Sequence, residues 1–288
     1  MRCKEFYMKD AYSFDLSDEE AKKSYNKMFY SYLKTFNRLD LKAIPMSADT
    51  GPIGGDLSHE FVILAETGES DIYADKDIFE IDLDRYKFED ASLKKMREDF
   101  TRIYAVTDEK YKKEDFNKFV KKENQIITKG IEVGHIFYFS DKYSKPMNCL
   151  IDDKIGKKTS VKMGSYGIGV SRLVGATIEA KYNNDVMKWP KSISPFDVVI
   201  IPNISKNNKE NLEKAEKIYQ ELKKQNIDVL LDDVDENMSN KFKKHDLIGV
   251  PFQIIIGSKS KGDNFEFQEL KSKSEILSFD KIKLKLKD

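Results

Sequence analysis

Three glycines and one arginine stand where chemistry is easiest to place. Residues 161–180, VKMGSYGIGVSRLVGATIEA, begin with strand-like residues and end in apolar positions Val170, Leu173, Val174 and Ile178 at helical spacing. Gly164, Gly167 and Gly169 lie at the expected strand-to-helix junction, and Arg172 follows roughly one turn into the helix. Glycine lets a ligand approach the backbone closely, and the first N–H groups of a helix lack intrahelical partners, so such a junction suits an anion. A guanidinium there adds a planar fork matched to phosphate oxygens. On spacing alone, a glycine-rich turn before a core helix with a surface arginine fits as well. A dinucleotide-binding G-x-G-x-x-G fails, because Arg172 occupies the place of its third glycine.

Two of the three histidines sit in similarly suggestive surroundings. His59 and Glu60 follow a glycine-rich stretch and open an apolar run, and His135 lies in another apolar run centred on residues 136–139. A lone histidine beside an apolar run is by default a structural residue. The two cysteines, Cys3 and Cys149, are far apart with no C-x-x-C pair, which implies neither a disulfide nor zinc; no metal-ligating set is assigned.

The elements that must carry these residues follow from patterning. Residues 4–15 read as an aromatic-rich strand. Asp15 or Ser17 caps a helix whose buried face is Ala21, Tyr25, Met28, Phe29, Tyr32, Leu33 and Phe36. Residues 41–65 read as strand, glycine loop (Gly51, Gly54, Gly55) and strand. Charged, mostly helical sequence fills 70–129, with helices near 91–105 and 113–122. A strand at 136–139 and a hairpin turn at 152–156 lead back into the glycine stretch. After Trp189-Pro190 and Ser194-Pro195 the order changes to alternating strand and helix, which implies a parallel, right-handed crossover. A final amphipathic helix is expected over 274–285.

With 288 residues the chain can hold two domains. Its 50 basic and 50 acidic residues cancel, so overall charge does not point to nucleic acid. No apolar run approaches the ~20 residues of a membrane span, and no hydrophobic leader opens the chain. A cytoplasmic setting is expected.

The string MGSYGIGVSRLVGATIEA resembles motif 3 of class II aminoacyl-tRNA synthetases, in the form found in bacterial prolyl-tRNA synthetases. Three further strings resemble that family in the same order: MRCKEFYMKDAYSFDL, like the second half of motif 2; DTGPIGGDLSHEF; and GIEVGHIFYF. A fourth, LLDD at 230–233 followed by KFKKHDLIGVP at 241–251, resembles the anticodon-binding domain shared by several class II synthetases. The implied fold is α+β. The C-terminal portion of an antiparallel-sheet catalytic domain, from mid motif 2 through motif 3 over 1–190, precedes a small α/β anticodon-binding domain over 195–288.

The resemblance implies roles residue by residue. Arg172 would be the catalytic arginine, holding the ATP phosphates together with Gly167 and Gly169. Phe6 would stack on adenine, and Arg2 would belong to the loop over ATP and the tRNA acceptor end. His59, Glu60, His135, Gly164 and Ser165 would line a proline pocket, with Glu132 nearby. Asp232, Asp233, Phe242, Lys243 and Asp246 would face or support the anticodon. Without the resemblance, Phe242 and its neighbours read as an ordinary amphipathic helix. ATP and Mg²⁺ are the implied cofactors, and proline, the proline tRNA and a second copy the implied partners. Lys4 stands where the family usually has arginine.

The expected activity is proline–tRNA ligation, with the short 70–129 segment replacing the editing domain of longer forms. Motif 1, a Thr-x-Glu loop and the first motif 2 arginine are not in the sequence, so the chain reads as the C-terminal two thirds of such an enzyme. Their absence leaves open a truncated, non-catalytic paralogue that binds tRNA. A histidyl- or threonyl-type synthetase is a weaker third reading, disfavoured by DTGPIGGDLSHEF.

Overall fold

Alternation of polar and apolar side chains organises the strands of the computed structural model, which describes residues 3–48, 57–153, 155–183, 186–204 and 209–287. The chain clusters into two units, Met1–Ala180 and Lys181–Asp288.

In the first unit, β1 (Met8–Asp15) is followed by α1 (Asp18–Arg38), β2 (Ala43–Ser47), β3 (Leu57–Leu64) and β4 (Ser70–Asp75). Next come α2 (Asp90–Arg102), β5 (Ala105–Thr107), α3 (Lys113–Phe119) and the long β6 (Gln125–Ser140). The short hairpin of β7 (Leu150–Asp152) and β8 (Lys158–Ser160) leads to β9 (Lys162–Gly169) and α4 (Val170–Lys181). Seven strands form one sheet in the order β1-β9-β6-β3-β2-β5-β4, antiparallel except for β2 beside β5. The N-terminal half of β6 also pairs with β4, from Ser70 opposite Gly130 to Asp75 opposite Gln125.

Helix α1 starts where Ser17 accepts a hydrogen bond from the Glu20 amide, with Asp18, Glu19 and Glu20 complementing the helix dipole. Its buried face carries the expected aromatics. Tyr25, Phe29, Tyr32 and Phe36 pack against one sheet face with Phe61, Ile136 and Tyr166. Met28 stays at the margin of that core.

Three expectations need correction here. Of the three glycines expected at the strand-to-helix junction, Gly169 stands there, immediately before α4, whereas Gly164 and Gly167 lie inside β9, flanked by β1 and β6. The expected apolar face of α4 is turned outward: Val170, Val174 and Ile178 are exposed, while Ala176 and Thr177 are buried. Segment 70–129 is less helical than its charge suggested. α2 ends at Arg102, and β4 and β5 join the main sheet because Ile72, Ala74 and Ala105 bury their side chains in its core.

In the second unit, the hairpin of β10 (Tyr182–Asn183) and β11 (Val186–Met187) precedes β12 (Val198–Pro202), α5 (Glu210–Lys224), β13 (Val229–Leu231) and α6 (Met238–Ile248). β14 (Phe252–Ile256), β15 (Asn264–Glu269), β16 (Glu275–Ser278) and α7 (Phe279–Lys287) complete it. The sheet order is β13-β12-β14-β15-β16; the first three strands are parallel and the last two antiparallel. α5 and α7 cover one face through Ala215, Ile218, Leu222, Ile282 and Leu286. α6 covers the other, against Val199, Ile201 and Val250. The expected last helix is strand at its start, because Leu277 pairs opposite Phe265 and joins that core. The division at Ala180 falls earlier than the expected 190–195. The Trp189 indole donates to the Ile248 carbonyl at 3.0 Å and thereby ties the preceding segment to α6.

Candidate active site

Side chains on a strand alternate between faces, so strand register decides which residues meet. Asp10 of β1 lies opposite Gly167 of β9, which lies opposite His135 of β6, which lies opposite Glu60 of β3. The next row is Tyr12, Ser165, Phe137 and Ser58. These two rows occupy the sheet face turned away from α1. Glycine at 167 leaves the floor low: a Cβ there would sit 3.2 Å from the Met8 methyl and 3.4 Å from an Asp10 carboxylate oxygen.

A bulge completes the arrangement. Between β3 and β6 the pairing shifts at Phe61/Val62, so that Val62 opposes Glu132 while Phe61 opposes Gly134. Val133 is therefore an extra residue, and it brings Glu132 and His135, three positions apart, onto one face. Both are half-buried, whereas Val133 is buried in the core.

Arg172 reaches over from the first turn of α4. Its Nη1 donates to the Glu132 carbonyl at 2.8 Å and lies 3.4 Å from a Glu132 carboxylate oxygen. His135 Nδ1 is 3.3 Å from the other Glu132 oxygen and 3.8 Å from the Glu60 carboxylate. Its Nε2 is 2.6 Å from the Ser58 hydroxyl. One ligand atom each from Glu60, Glu132 and His135 fall within 4.8 Å of one another, a donor set able to hold a cation. Two hard carboxylate oxygens suit Mg²⁺ better than the imidazole does. The patch thus offers a fixed cation beside two carboxylates, on glycine-floored backbone.

Phe6 lies just before β1 and is exposed. The neighbouring Tyr7 amide donates to the Ser171 hydroxyl at 2.8 Å, which moors this segment at the start of α4, one residue from Arg172. Arg2 lies outside the described residues, as do Gly51, Gly54 and Gly55.

Two residues expected in the pocket point the other way. His59 turns into the core, where Nδ1 meets the Tyr25 hydroxyl at 2.6 Å and Phe29 packs edge-on. Burial, reinforced by the charge of Arg97, pushes its pKa down to about 3, so the ring is neutral. Gly164 also faces the core, beneath the Tyr166 phenol; a Cβ there would come within 2.1 Å of the hydroxyl oxygen. Both follow from alternation: the neighbours Glu60 and Ser165 take the open face. Asp10, Ser58 and the bulge at Val133 carried no sequence signal of their own, because only register identifies them.

In the second unit, Asp232 is buried rather than displayed. Its carboxylate meets His245 Nε2 at 2.7 Å, Lys244 at 2.9 Å and the fully buried Lys241 at 3.5 Å. Burial alone would raise this carboxyl, but hydrogen bonds from Lys244 and His245 and the charge of Lys241 hold it at about 2. Asp246 pairs with Lys271 at 2.6 Å, and Phe242 packs half-buried against the α6 core. Asp233 and Lys243 are exposed.

Comparison with known proteins identifies the family. Residues 1–181 match the model of the tRNA synthetase class II core domain (G, H, P, S and T). The chain belongs to the class II tRNA synthetase family. In this synthetase chain, residues 197–288 match the anticodon binding domain. It is similar to a proline–tRNA ligase of Pelagibacter ubique, 56% identical over 98% of this chain and 64% of that protein. Proline–tRNA ligases of Parvibaculum lavamentivorans and Bartonella quintana are 50% and 51% identical, over 90% and 92% of this chain and 59% and 60% of theirs. The chain therefore spans about three fifths of the length of these relatives. Among the described residues, no helix is long and apolar enough to cross a membrane.

Proposed function

We propose that this chain carries the ATP-handling face and the tRNA-reading domain of a cytoplasmic proline–tRNA ligase that works as a homodimer. Its relatives' names support the substrate. The observation that carries the reading is the alignment of Arg172, Glu132, His135, Glu60 and Gly167 on one open sheet face. In this reading the proline carboxylate attacks the α-phosphate of ATP, forming prolyl-adenylate and releasing pyrophosphate. The terminal ribose hydroxyl of the tRNA then attacks the prolyl carbonyl and releases AMP. No side chain forms a covalent bond to substrate.

Arg172 holds the phosphate oxygens, and its anchorage to Glu132 fixes the guanidinium before substrate arrives. Gly167 and Gly169 let the nucleotide lie close to the backbone, Phe6 stacks on adenine, and Arg2 covers ATP and the acceptor end. Glu60, His135 and Ser165 line the proline pocket, and His59 and Gly164 support it from beneath the sheet. Glu60 and Glu132 would hold Mg²⁺, which supplies positive charge to the polyphosphate when bound. Residues 1–190 form the catalytic domain and 195–288 the anticodon-binding domain. There Asp233, Phe242 and Lys243 meet the anticodon, and Asp232 and Asp246 hold α6 in place for them.

Proline-dependent exchange of labelled pyrophosphate into ATP by the protein encoded in its native gene tests the reading. Exchange driven by proline, with alanine and threonine far weaker, is the expected result. Exchange driven by another amino acid in preference to proline overturns it.

A further inference from the structure

The antiparallel ladder between β1 and β9 ends at Met8 opposite Gly169, and there the two chains part as β9 gives way to α4. Just beyond that rung they are joined again. The Ser171 hydroxyl accepts from the Tyr7 amide at 2.8 Å, and the Ser171 amide donates to the Tyr7 carbonyl at 3.4 Å. A serine at the start of a helix ordinarily turns its hydroxyl to that helix's own free amides; this one accepts from another segment instead. Burial does not hold the segment it reaches, since Phe6 is 54% and Tyr7 81% exposed. The hydroxyl of Ser171 therefore fixes backbone that packing leaves free.

The two groups assigned to the nucleotide flank this clasp. Phe6 adjoins Tyr7, and Arg172 adjoins Ser171. Arg172 is set independently, by its hydrogen bond to the Glu132 carbonyl. Phe6 is located through the backbone of Tyr7. We infer that Ser171 is a positioning residue for ATP: its hydroxyl holds the Tyr7 amide so that the Phe6 ring stands at a fixed distance from Arg172. The ring then stacks on adenine while the guanidinium takes the phosphates. A ring ordered before the base arrives costs less to use than one that must be ordered on binding. The inference rests on the ATP-handling face proposed above, and it adds to that face a residue that touches neither base nor phosphate. Alanine at 171 removes the acceptor; threonine keeps it, and the exposed position leaves room for the extra methyl.

The test is calorimetric titration with ATP, without any amino acid, of the protein encoded in its native gene. Ser171→Ala is expected to weaken ATP severalfold and Ser171→Thr to restore it. Tripolyphosphate, which has no base to stack, should bind Ser171→Ala as tightly as wild type. Phe6→Ala should weaken ATP at least about fivefold, the low end of what one base–aromatic stack is worth. Adding Ser171→Ala to Phe6→Ala should cost nothing more, because the serine acts through the ring. Unchanged ATP affinity in Ser171→Ala overturns the inference. So does an equal loss for tripolyphosphate, or a loss that persists in full in the Phe6→Ala background. Failure of proline to drive pyrophosphate exchange in the wild type, with the titrations as stated, removes the ligase reading and leaves Ser171 in its role. No binding of ATP by the wild type overturns both.

Discussion

The guanidinium of Arg172 is tethered to Glu132 twice, by a 2.8 Å hydrogen bond to its main-chain carbonyl and by proximity to its carboxylate at 3.4 Å. The first tether does not depend on the Glu132 side chain. A flexible arginine is thus held over the sheet by backbone that the β3–β6 pairing fixes in place.

Arg172→Ala in the complete enzyme is expected to slow pyrophosphate exchange by roughly 10²–10³-fold, the loss typical of one oriented charge-stabilising donor. Binding of tRNA, followed by filter retention, should be unchanged. Equal loss of both activities argues against a phosphate role. Arg172→Lys should recover little, since a point charge cannot reproduce the fork.

Gly164→Ala and Gly167→Ala, three residues apart in one strand, should fail differently. At 164 the new methyl meets the Tyr166 hydroxyl at 2.1 Å and Ser13 Oγ at 2.9 Å, and overpacking of this kind costs about 1–3 kcal/mol. At 167 it meets the mobile end of Met8 at 3.2 Å, so the melting temperature should hold while the KM for ATP rises. Paired thermal melts and exchange assays separate the two.

His59 gives a pH signature. Its folded pKa of about 3 lies below the ordinary 6.5. Unfolded chains take up a proton as pH falls through 6.5, and the folded chain does not until about 3. The stability that neutral His59 contributes is therefore complete above 6.5 and declines steadily toward 3, by about 1.4 kcal/mol for each step of one in pH. Urea unfolding at pH 8 and pH 5 should show the decline, and His59→Gln should flatten it. Tyr25→Phe, which orphans Nδ1, should cost about 1–3 kcal/mol at pH 8.

Asp232→Asn should leave the charge of Lys241 buried without its counter-ion and destabilise the second unit by about 3–5 kcal/mol. In the native protein that carboxylate's contribution is present above the unfolded value of 3.8 and lost as pH falls toward 2. Lys243→Ala should leave the fold intact, weaken tRNA binding and lower the salt slope by about one. If Asp232→Asn weakens tRNA binding without lowering stability, the carboxylate contacts RNA after all.

Much of the architecture was legible from residue types. The α1 face from Ala21 to Phe36 follows from periodicity, as does the parallel start of the second unit. Faces within strands were not. His59 and Glu60 are neighbours, so one had to turn inward, and nothing in their types says which. A run of glycines has no side chains to reveal its buried side, and Gly164 and Gly167 therefore read alike. Straight counting along β6 puts Glu132 and His135 on opposite faces; only the extra residue at Val133 reunites them. At 274–285, Leu277 belongs to a strand alternation too short to compete with the helical pattern that follows it.

The pairing of Asp75 with Gln125 has a topological corollary. The segment between them is tied at both ends by that pair, yet it re-enters the sheet once, as β5 seated between β2 and β4, and α2 sends Leu93, Met96 and Phe100 into the core. A change of length is therefore absorbed only in the connections outside α2 and β5, where closure entropy grows only logarithmically with length. Insertions in those connections leave the β3–β6 pairing, and with it Glu60 and Glu132, where they are.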